Sequence, residues 1–154
     1  MRILFVCMGN ICRSPTAEGV MRHVLREEGM ADAVELDSAG TGGWHAGAPP
    51  DTRATTAAQA RGIVLDGAAR QVRREDFAAF DLILAADREN LADLRAIAPP
   101  GTGSKVRLLR EFDPASEGVP DLDVPDPYYG GARGFEDVLD LVEAACRGLL
   151  DEVR

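Results

Sequence analysis

Four short segments of the chain have the apolar character of buried β-strands. Residues 3–6 form the first and residues 34–37 the second; the strongly apolar residues 80–86 form the third, and residues 105–109 a fourth, weaker candidate. Short apolar runs bounded by turn-forming residues are typical of strands in the interior of a globular protein. We therefore predict a sheet of four strands.

Longer segments between these strands place apolar residues at helical spacing. They predict helices at residues 15–28, 51–61, 88–97 and 135–153. Because strands and helices alternate, the predicted fold is α/β: a parallel four-stranded sheet with helices on both faces, in a single domain that spans residues 1–154. Ligands of such folds bind at the carboxyl ends of the strands.

Composition and charge narrow the class of protein. Of the 154 residues, 45% are hydrophobic and 28% are charged, as in an ordinary globular domain. The net charge of -9 argues against nucleic acid or an anionic membrane as a partner, and a monomer is the default expectation. No apolar run approaches the ~18 residues of a membrane span, and the N-terminus lacks the pattern of a signal peptide. The three cysteines form no paired framework, so we predict a cytoplasmic protein.

The residues after the first predicted strand carry the chemistry. They read Cys7-Met8-Gly9-Asn10-Ile11-Cys12-Arg13-Ser14 and lead through Pro15 into the first predicted helix. Ser14 is a favourable N-cap and Pro15 a favourable first helical residue, so the loop is expected to join a strand end to a helix N-terminus. Such a junction offers free backbone N–H groups and the positive end of a helix dipole. Gly9 and Asn10 tolerate a positive φ, which lets the loop curl and direct its amides inward.

A thiol in such a loop can attack a bound phosphate. Arg13 adds a planar guanidinium that matches two phosphate oxygens. The same positive field favours the thiolate of Cys7, to which the Ser14 hydroxyl can donate a hydrogen bond. A thiolate that faces a bound phosphate ester can displace the ester group and form a phosphocysteine.

The spacing of Cys7 and Arg13 alone is a weak signal in a chain rich in arginine. The alternative is a buried cysteine that fills space in a strand-to-helix turn, but it explains neither Arg13 nor the Gly9-Asn10 pair. The Walker phosphate loop needs Gly-Lys-Ser/Thr and is excluded, because the only lysine is Lys105.

A proton donor for the leaving group is expected far along the chain. The candidate is Asp126, which lies between Pro125 and Pro127 and is followed by Tyr128 and Tyr129. The two prolines stiffen the segment, and the tyrosines can form an aromatic wall beside the carboxyl group. The residues alone leave two interpretations open: a general acid, or a proline-rich surface turn with solvent-facing tyrosines.

The two motifs together resemble those of low-molecular-weight protein tyrosine phosphatases. The family's loop pattern, Cys-x-Gly-Asn-x-Cys-Arg-Ser, matches residues 7–14, and its Asp-Pro-Tyr-Tyr-Gly-like segment matches residues 126–130. The resemblance implies that Cys7, Arg13 and Asp126 are catalytic, with Asp126 as the general acid. The residues expected to bind the phosphate or the substrate are Met8, Gly9, Asn10, Ile11, Cys12, Ser14, Trp44, Tyr128 and Tyr129.

The resemblance also implies the reaction partners. It predicts a phosphotyrosine-containing protein as the substrate and inorganic phosphate as the product. No metal or other cofactor is expected, because Arg13 and the loop amides supply the charge stabilisation.

Four further residues belong to the resemblance. The family carries a Trp-His pair like Trp44-His45 in a substrate-facing loop, although a tryptophan folded onto the local core stays open. Asp87 either caps the next helix or lies near the active site. Cys12 is either packed or forms a reversible disulfide with Cys7 that protects the nucleophile from over-oxidation.

Other functions share parts of this signal. Thioredoxin-coupled arsenate reductases have a similar loop but relay oxidation through two further cysteines, and residues 13–145 contain no cysteine. Protein-arginine phosphatases typically have Thr where this chain has Ile11, so Ile11 and the tyrosine pair favour an aryl phosphate. A non-catalytic phosphate-binding module would not need Cys7 and Asp126 together. We keep these three as alternatives to a tyrosine phosphatase.

Overall fold

The computed structural model of the chain describes residues 1–127, 131 and 133–154. Its four strands form one sheet in the order β2-β1-β3-β4, and all three neighbouring pairs are parallel. The strands are β1 (Arg2–Cys7), β2 (Glu35–Gly40), β3 (Leu82–Ala85) and β4 (Val106–Leu108). The predicted parallel α/β fold is confirmed.

Five α-helices accompany the sheet in the described part of the chain. They are α1 (Arg13–Glu27), α2 (Thr52–Gln59), α3 (Asp76–Ala79), α4 (Arg88–Ile97) and α5 (Gly134–Val153). The prediction for α4 was correct at both ends, and α3 was missed because a helix of 4 residues is too short to show a helical period.

Two strand predictions differ from the structure by two or more residues at one end. Ser38 and Ala39 lie outside the predicted second strand, but both are buried residues of β2, which continues to Gly40. β3 begins only at Leu82, because Phe80 is the C-cap of α3. In both cases the apolar run and the strand have different ends. β2 includes the polar Ser38, and the apolar Phe80 belongs to the end of α3.

The predicted start of the first helix, with Ser14 as its N-cap and Pro15 as its first residue, was also wrong. The helix α1 begins at Arg13, its N-cap position is Cys12, and no side chain caps it. The Ser14 hydroxyl instead lies 3.0 Å from the sulfur of Cys7 and accepts a hydrogen bond from the side chain of Asn10. A residue type that favours caps is therefore used inside the first turn of the helix for a contact with the thiol.

The core has two layers, one on each face of the sheet, and β1 contributes to both. Ile3 and Phe5 pack with residues of α1 and α5, whereas Leu4 and Val6 pack with residues of α3 and α4. This alternation is expected for a strand that is buried on both faces. The central strand that leads to Cys7 is therefore fixed by packing from both sides.

A glycine lets α5 approach the rest of the molecule. A Cβ atom at Gly148 would lie 1.8 Å from the backbone oxygen of Phe112, so any larger residue would push the helix outward. No helix among the described residues is both long and apolar enough to cross a membrane.

Candidate active site

The candidate site lies at the carboxyl end of β1. The backbone oxygen of Cys7 accepts a hydrogen bond from the N–H of Thr41 at 2.9 Å, and that of Val6 accepts one from Ala86 at 2.9 Å. The chain is thus held on both sides at the point where the loop begins. This is the edge of the sheet at which ligands of α/β proteins bind.

The thiol of Cys7 is surrounded by hydrogen-bond donors. Its sulfur lies 3.0 Å from Oγ of Ser14 and accepts a hydrogen bond from the backbone N–H of Asn10 at 3.3 Å. The side-chain amide of Asn10 donates to Oγ of Ser14 at 2.8 Å, which leaves the hydroxyl proton of Ser14 free to point at the sulfur. Donors placed in this way stabilise a thiolate.

Asn10 holds the loop in shape from behind. Its φ of 58° is the only positive value among the described non-glycine residues. Its amide also donates to Oγ of Ser38 at 3.0 Å, and its Oδ1 accepts from the backbone N–H of Arg70 at 2.9 Å. Ser38 and Arg70 were not predicted to belong to the site, because their partners are distant in sequence.

Arg70 is in turn fixed by carboxylates. Its guanidinium contacts Asp37 at 3.1 Å and the buried Asp76 at 2.9 Å. The backbone segment that supports Asn10 is therefore held between β2 and α3.

Arg13 is 4% exposed and has three partners on the far side of the loop. One nitrogen donates to Oδ2 of Asp87 at 2.7 Å and to the backbone oxygen of Val124 at 2.9 Å, and the other lies 4.0 Å from Asp126. Burial acts to lower the pKa of Arg13, but the opposing charges of Cys7, Asp87 and Asp126 raise it, and the net shift is upward. The guanidinium therefore stays charged.

Asp87 has both of the roles that its sequence position suggested. Its Oδ1 accepts from the backbone N–H of Asn90 at 2.8 Å and so caps α4, while its Oδ2 accepts from Arg13. One carboxylate thus joins the helix N-terminus to the guanidinium and fixes the direction in which that group points.

Asp126 reaches the same place from the other end of the chain. The backbone N–H of Val124 donates to the oxygen of Ala86 at 2.8 Å, which anchors this segment just beyond β3. The carboxyl group is partly exposed and lies beside Arg13. Tyr128 and Tyr129, predicted to wall this carboxyl, lie outside the described residues.

These groups enclose a cavity of about 300 Å³. The residues that line it are Cys7, Met8, Gly9, Ile11, Cys12, Arg13, Trp44, His45 and Asp126. Of the predicted site residues that the structure describes, Asn10 and Ser14 are outside this lining and hold the loop from behind. A larger cavity of about 700 Å³ between α2 and α5 is lined by neither cysteine nor histidine, so the chemistry belongs to the smaller one.

Two other groups of the pocket have defined environments. Burial, helped by the negative charges of Asp51 and Cys7, raises the pKa of Cys12 to about 12, so Cys12 remains a neutral thiol. Trp44 is 70% exposed, which excludes the open alternative of a tryptophan folded into the core. Among the described residues, no group of three or more His, Cys, Asp or Glu side chains is arranged to hold a metal ion.

A loop that directs a backbone N–H and a hydroxyl at a thiol and ends in a buried guanidinium has the arrangement of a phosphate-binding loop. The family model described as "Low molecular weight phosphotyrosine protein phosphatase" matches residues 2–154. The chain belongs to this family, and the family predicted from its motifs is confirmed.

Relatives and solved structures agree over the whole length. The low molecular weight protein-tyrosine-phosphatase of Streptomyces coelicolor is 53% identical and covers 99% of this chain and 93% of its own. The low molecular weight phosphotyrosine protein phosphatase of Homo sapiens is 40% identical over 97% of this chain and 94% of its own. The crystal structure of an Entamoeba histolytica protein tyrosine phosphatase with Hepes in the active site superimposes with a TM-score of 0.92 at 39% identity, covering 99% of this chain and 96% of that chain.

A neighbour with a different printed activity has the same fold. The crystal structure of a Drosophila arginine phosphatase superimposes with a TM-score of 0.89 at 31% identity, covering 99% of this chain and 97% of that chain. The fold alone therefore does not separate an aryl phosphate from a phosphoarginine as substrate.

Proposed function

We propose that this protein is a tyrosine phosphatase that hydrolyses aryl phosphate monoesters through a phosphocysteine, without a metal. The observation that carries the proposal is the contact of Cys7 with two hydrogen-bond donors at one end of a pocket that also contains Arg13 and Asp126. The names of the relatives, most of which specify tyrosine, support the choice of substrate.

In the first step, the sulfur of Cys7 attacks phosphorus and the bond from phosphorus to the phenol oxygen breaks. Arg13 and the loop amides hold the phosphate oxygens and stabilise the charge that develops on them. Asp126 enters this step as a carboxylic acid and donates its proton to the departing oxygen. The products are a phosphocysteine and a neutral phenol.

In the second step, water hydrolyses the phosphocysteine. The carboxylate of Asp126 takes a proton from the water molecule as its oxygen bonds to phosphorus, and the phosphorus–sulfur bond breaks. Cys7 leaves as a thiolate, which the hydroxyl of Ser14 and the N–H of Asn10 stabilise. Inorganic phosphate is released, and Asp126 is protonated again.

The apolar part of the pocket favours an aromatic leaving group. Met8, Ile11 and Trp44 line the cavity around the thiol, and an aryl ring buries its faces against such side chains. A phosphoarginine would bring a polar guanidinium into the same place. An arginine phosphatase is therefore the second candidate function. Rates of hydrolysis of phosphotyrosine and phosphoarginine peptides by the same enzyme decide between the two.

The test compares hydrolysis of p-nitrophenyl phosphate and phenyl phosphate near pH 6, in the presence of a metal chelator. Cys7→Ser should abolish turnover of both, by about a thousandfold or more. Asp126→Asn should reduce turnover by about a hundredfold or more for phenyl phosphate and by less for p-nitrophenyl phosphate, whose leaving group needs less help from an acid.

Asp123→Asn is the matched control. Asp123 is close to Asp126 in sequence, but it pairs with Arg88 at the surface, so its loss should leave turnover unchanged. A wild-type protein that hydrolyses neither ester under reducing conditions would contradict the proposal and leave a phosphate-binding module or an arsenate reductase. A preference for phosphoarginine peptides over phosphotyrosine peptides would make the protein an arginine phosphatase instead of a tyrosine phosphatase.

We further propose a cytoplasmic monomer. The nucleophile needs a free thiol, and Cys7, Cys12 and Cys146 are all unpaired. A reducing compartment keeps such thiols active. Gel filtration with light scattering and a location assay test the two statements separately.

A further inference from the structure

Trp44 stands between two cavities. One is the pocket of about 300 Å³ that contains Cys7. The other measures about 470 Å³ and lies between the Trp44 loop and α4. We call it the α4 groove; the residues of its lining that matter here are Trp44, Gln71, Val72, Asp93, Ala96 and Ile97.

The indole that separates the two cavities is held in place although it is 70% exposed. Its ring packs on the backbone of Gly42, where a Cβ atom would lie 1.7 Å from the ring carbon Cζ3. The side chain of Gln71 donates to the backbone oxygen of Thr41 at 3.2 Å, and the N–H of Gly47 donates to the oxygen of Ala69 at 2.8 Å. An exposed aromatic ring on a loop tied in this way is preorganised for a ligand.

Exposed apolar surface is concentrated around these two cavities. Six large apolar side chains are exposed in the described part of the chain, and Met8, Trp44 and Ile97 line either the pocket or the α4 groove. The lining of the α4 groove also contains the buried side chain of Val72 and the small, exposed side chain of Ala96. The pocket and the α4 groove therefore meet at Trp44, and each has exposed apolar side chains in its lining.

The charge at the α4 groove is negative. Asp93 lines it and forms no ion pair with any described residue. Ile97 is the last residue of α4, so the negative end of the helix dipole lies at the same place. Both features favour a cation in the bound partner, as does the overall charge of -9.

We propose that the α4 groove binds the part of a protein substrate that flanks the phosphotyrosine. It takes a bulky apolar side chain two residues from the phosphotyrosine, and Asp93 pairs with a basic residue two positions beyond that side chain, on the same face of the peptide. In an extended peptide, side chains two residues apart lie on the same face and about 7 Å from each other, which is roughly the width of an indole ring. The substrate would therefore lie across Trp44 with one side chain in each cavity.

This inference rests on the proposed function and is tested with peptides of one design. Each contains phosphotyrosine in an alanine-rich background, with Leu either two residues before it, two residues after it, or at neither position. For wild type, one of the two Leu peptides should have a kcat/KM about five- to tenfold above that of the Ala peptide, as expected for partial burial of a Leu side chain.

Ile97→Asp should remove most of this preference, because it places a charge in the apolar wall of the α4 groove. Val64→Asp is the matched control: Val64 is also an exposed apolar residue, but it lies outside the groove, so the preference should persist. Turnover of p-nitrophenyl phosphate, which has no flanking residues, should be unchanged in both variants.

A Lys two residues beyond the Leu, on the same face of the extended peptide, tests the charge. It should raise kcat/KM about two- to threefold at low salt, and the gain should disappear in Asp93→Asn or in 0.5 M sodium chloride, as for an exposed ion pair.

The outcomes separate the two levels of the proposal. Equal rates for the Leu and Ala peptides, or a preference that survives Ile97→Asp, would overturn the α4 groove as a subsite while leaving the phosphatase assignment intact. If wild type fails to hydrolyse p-nitrophenyl phosphate, the proposed function fails first. The groove is then tested by binding of the same peptides to Cys7→Ser, followed by fluorescence of Trp44, the only tryptophan.

Discussion

The replacement of Asn10 by Ala tests the support of the phosphate loop. Three hydrogen bonds of the Asn10 side chain, to Ser14, Ser38 and the backbone of Arg70, are lost together. At about 1 kcal/mol of net stability each, they amount to about 3 kcal/mol. Alanine at a φ of 58° adds about 1 kcal/mol of strain, so the expected loss is about 4 kcal/mol.

Asn10→Gly separates the two contributions. It removes the same hydrogen bonds but accepts the positive φ, so it should be about 1 kcal/mol more stable than Asn10→Ala. Ser38→Ala, which removes one of the three contacts, should cost about 1 kcal/mol. Urea unfolding at pH 7, followed by circular dichroism in the far ultraviolet, gives the free energy of unfolding for each variant.

The turnover of these variants should also depend on how well the loop is held in shape. Because Asn10 positions both its own N–H and the hydroxyl of Ser14 against the sulfur of Cys7, Asn10→Ala should lower kcat more than Ser38→Ala does. The reasoning is refuted if Asn10→Ala unfolds within about 1 kcal/mol of wild type and keeps its turnover, since the hydrogen bonds would then contribute to neither stability nor loop geometry.

Two further predictions concern the groups around the thiol. Asp87→Asn should lower the free energy of unfolding by about 1–3 kcal/mol, because the buried guanidinium of Arg13 loses its counter-charge. Saturating phosphate should raise the melting temperature of this variant more than that of wild type. Equal shifts in melting temperature would contradict the pairing of Arg13 with Asp87. Peroxide should link Cys7 to Cys12, as read by peptide mass mapping, with loss of a water molecule from the oxidised Cys7. Since burial raises the pKa of Cys12 to about 12, its thiolate fraction and the linking rate should climb from pH 7 to pH 9; a rate that does not change with pH would show that the Cys12 thiolate is not the attacking group.

The sequence was sufficient for the parts of the site that are local. The loop of residues 7–14 could be assigned because strand, turn residues and helix start are adjacent in the chain. The alternation of elements predicted the parallel sheet for the same reason. Within residues 7–14 the cap position was misplaced, since a serine at a helix start can either cap the helix or contact the thiol, and Ser14 does the latter.

The sequence could not reveal the contacts that depend on how distant segments meet. Ser38 lies beyond the end of the predicted second strand and Arg70 lies outside every predicted element, yet both hold Asn10. The α4 groove is a stronger case, because α2, α3 and β3 lie between Trp44 and α4 in the chain. Trp44 and Ile97 share a cavity only through the packing of α4 against the sheet. No local pattern carries that information.

The partners of Arg13 have a consequence for how the protein acquires activity. The guanidinium sits in the first turn of α1, but it is held by Asp87 and Val124, which lie 74 and 111 residues further along the chain. A parallel sheet brings such distant segments together late, since each strand waits for its crossover connection. During synthesis, the phosphate loop emerges first, but Arg13 gains its two partners only after Asp87 and Val124 have been made. The regain of catalysis after dilution from urea should therefore coincide with the slowest folding phase. A nascent chain that ends before Val124 should have no phosphatase activity.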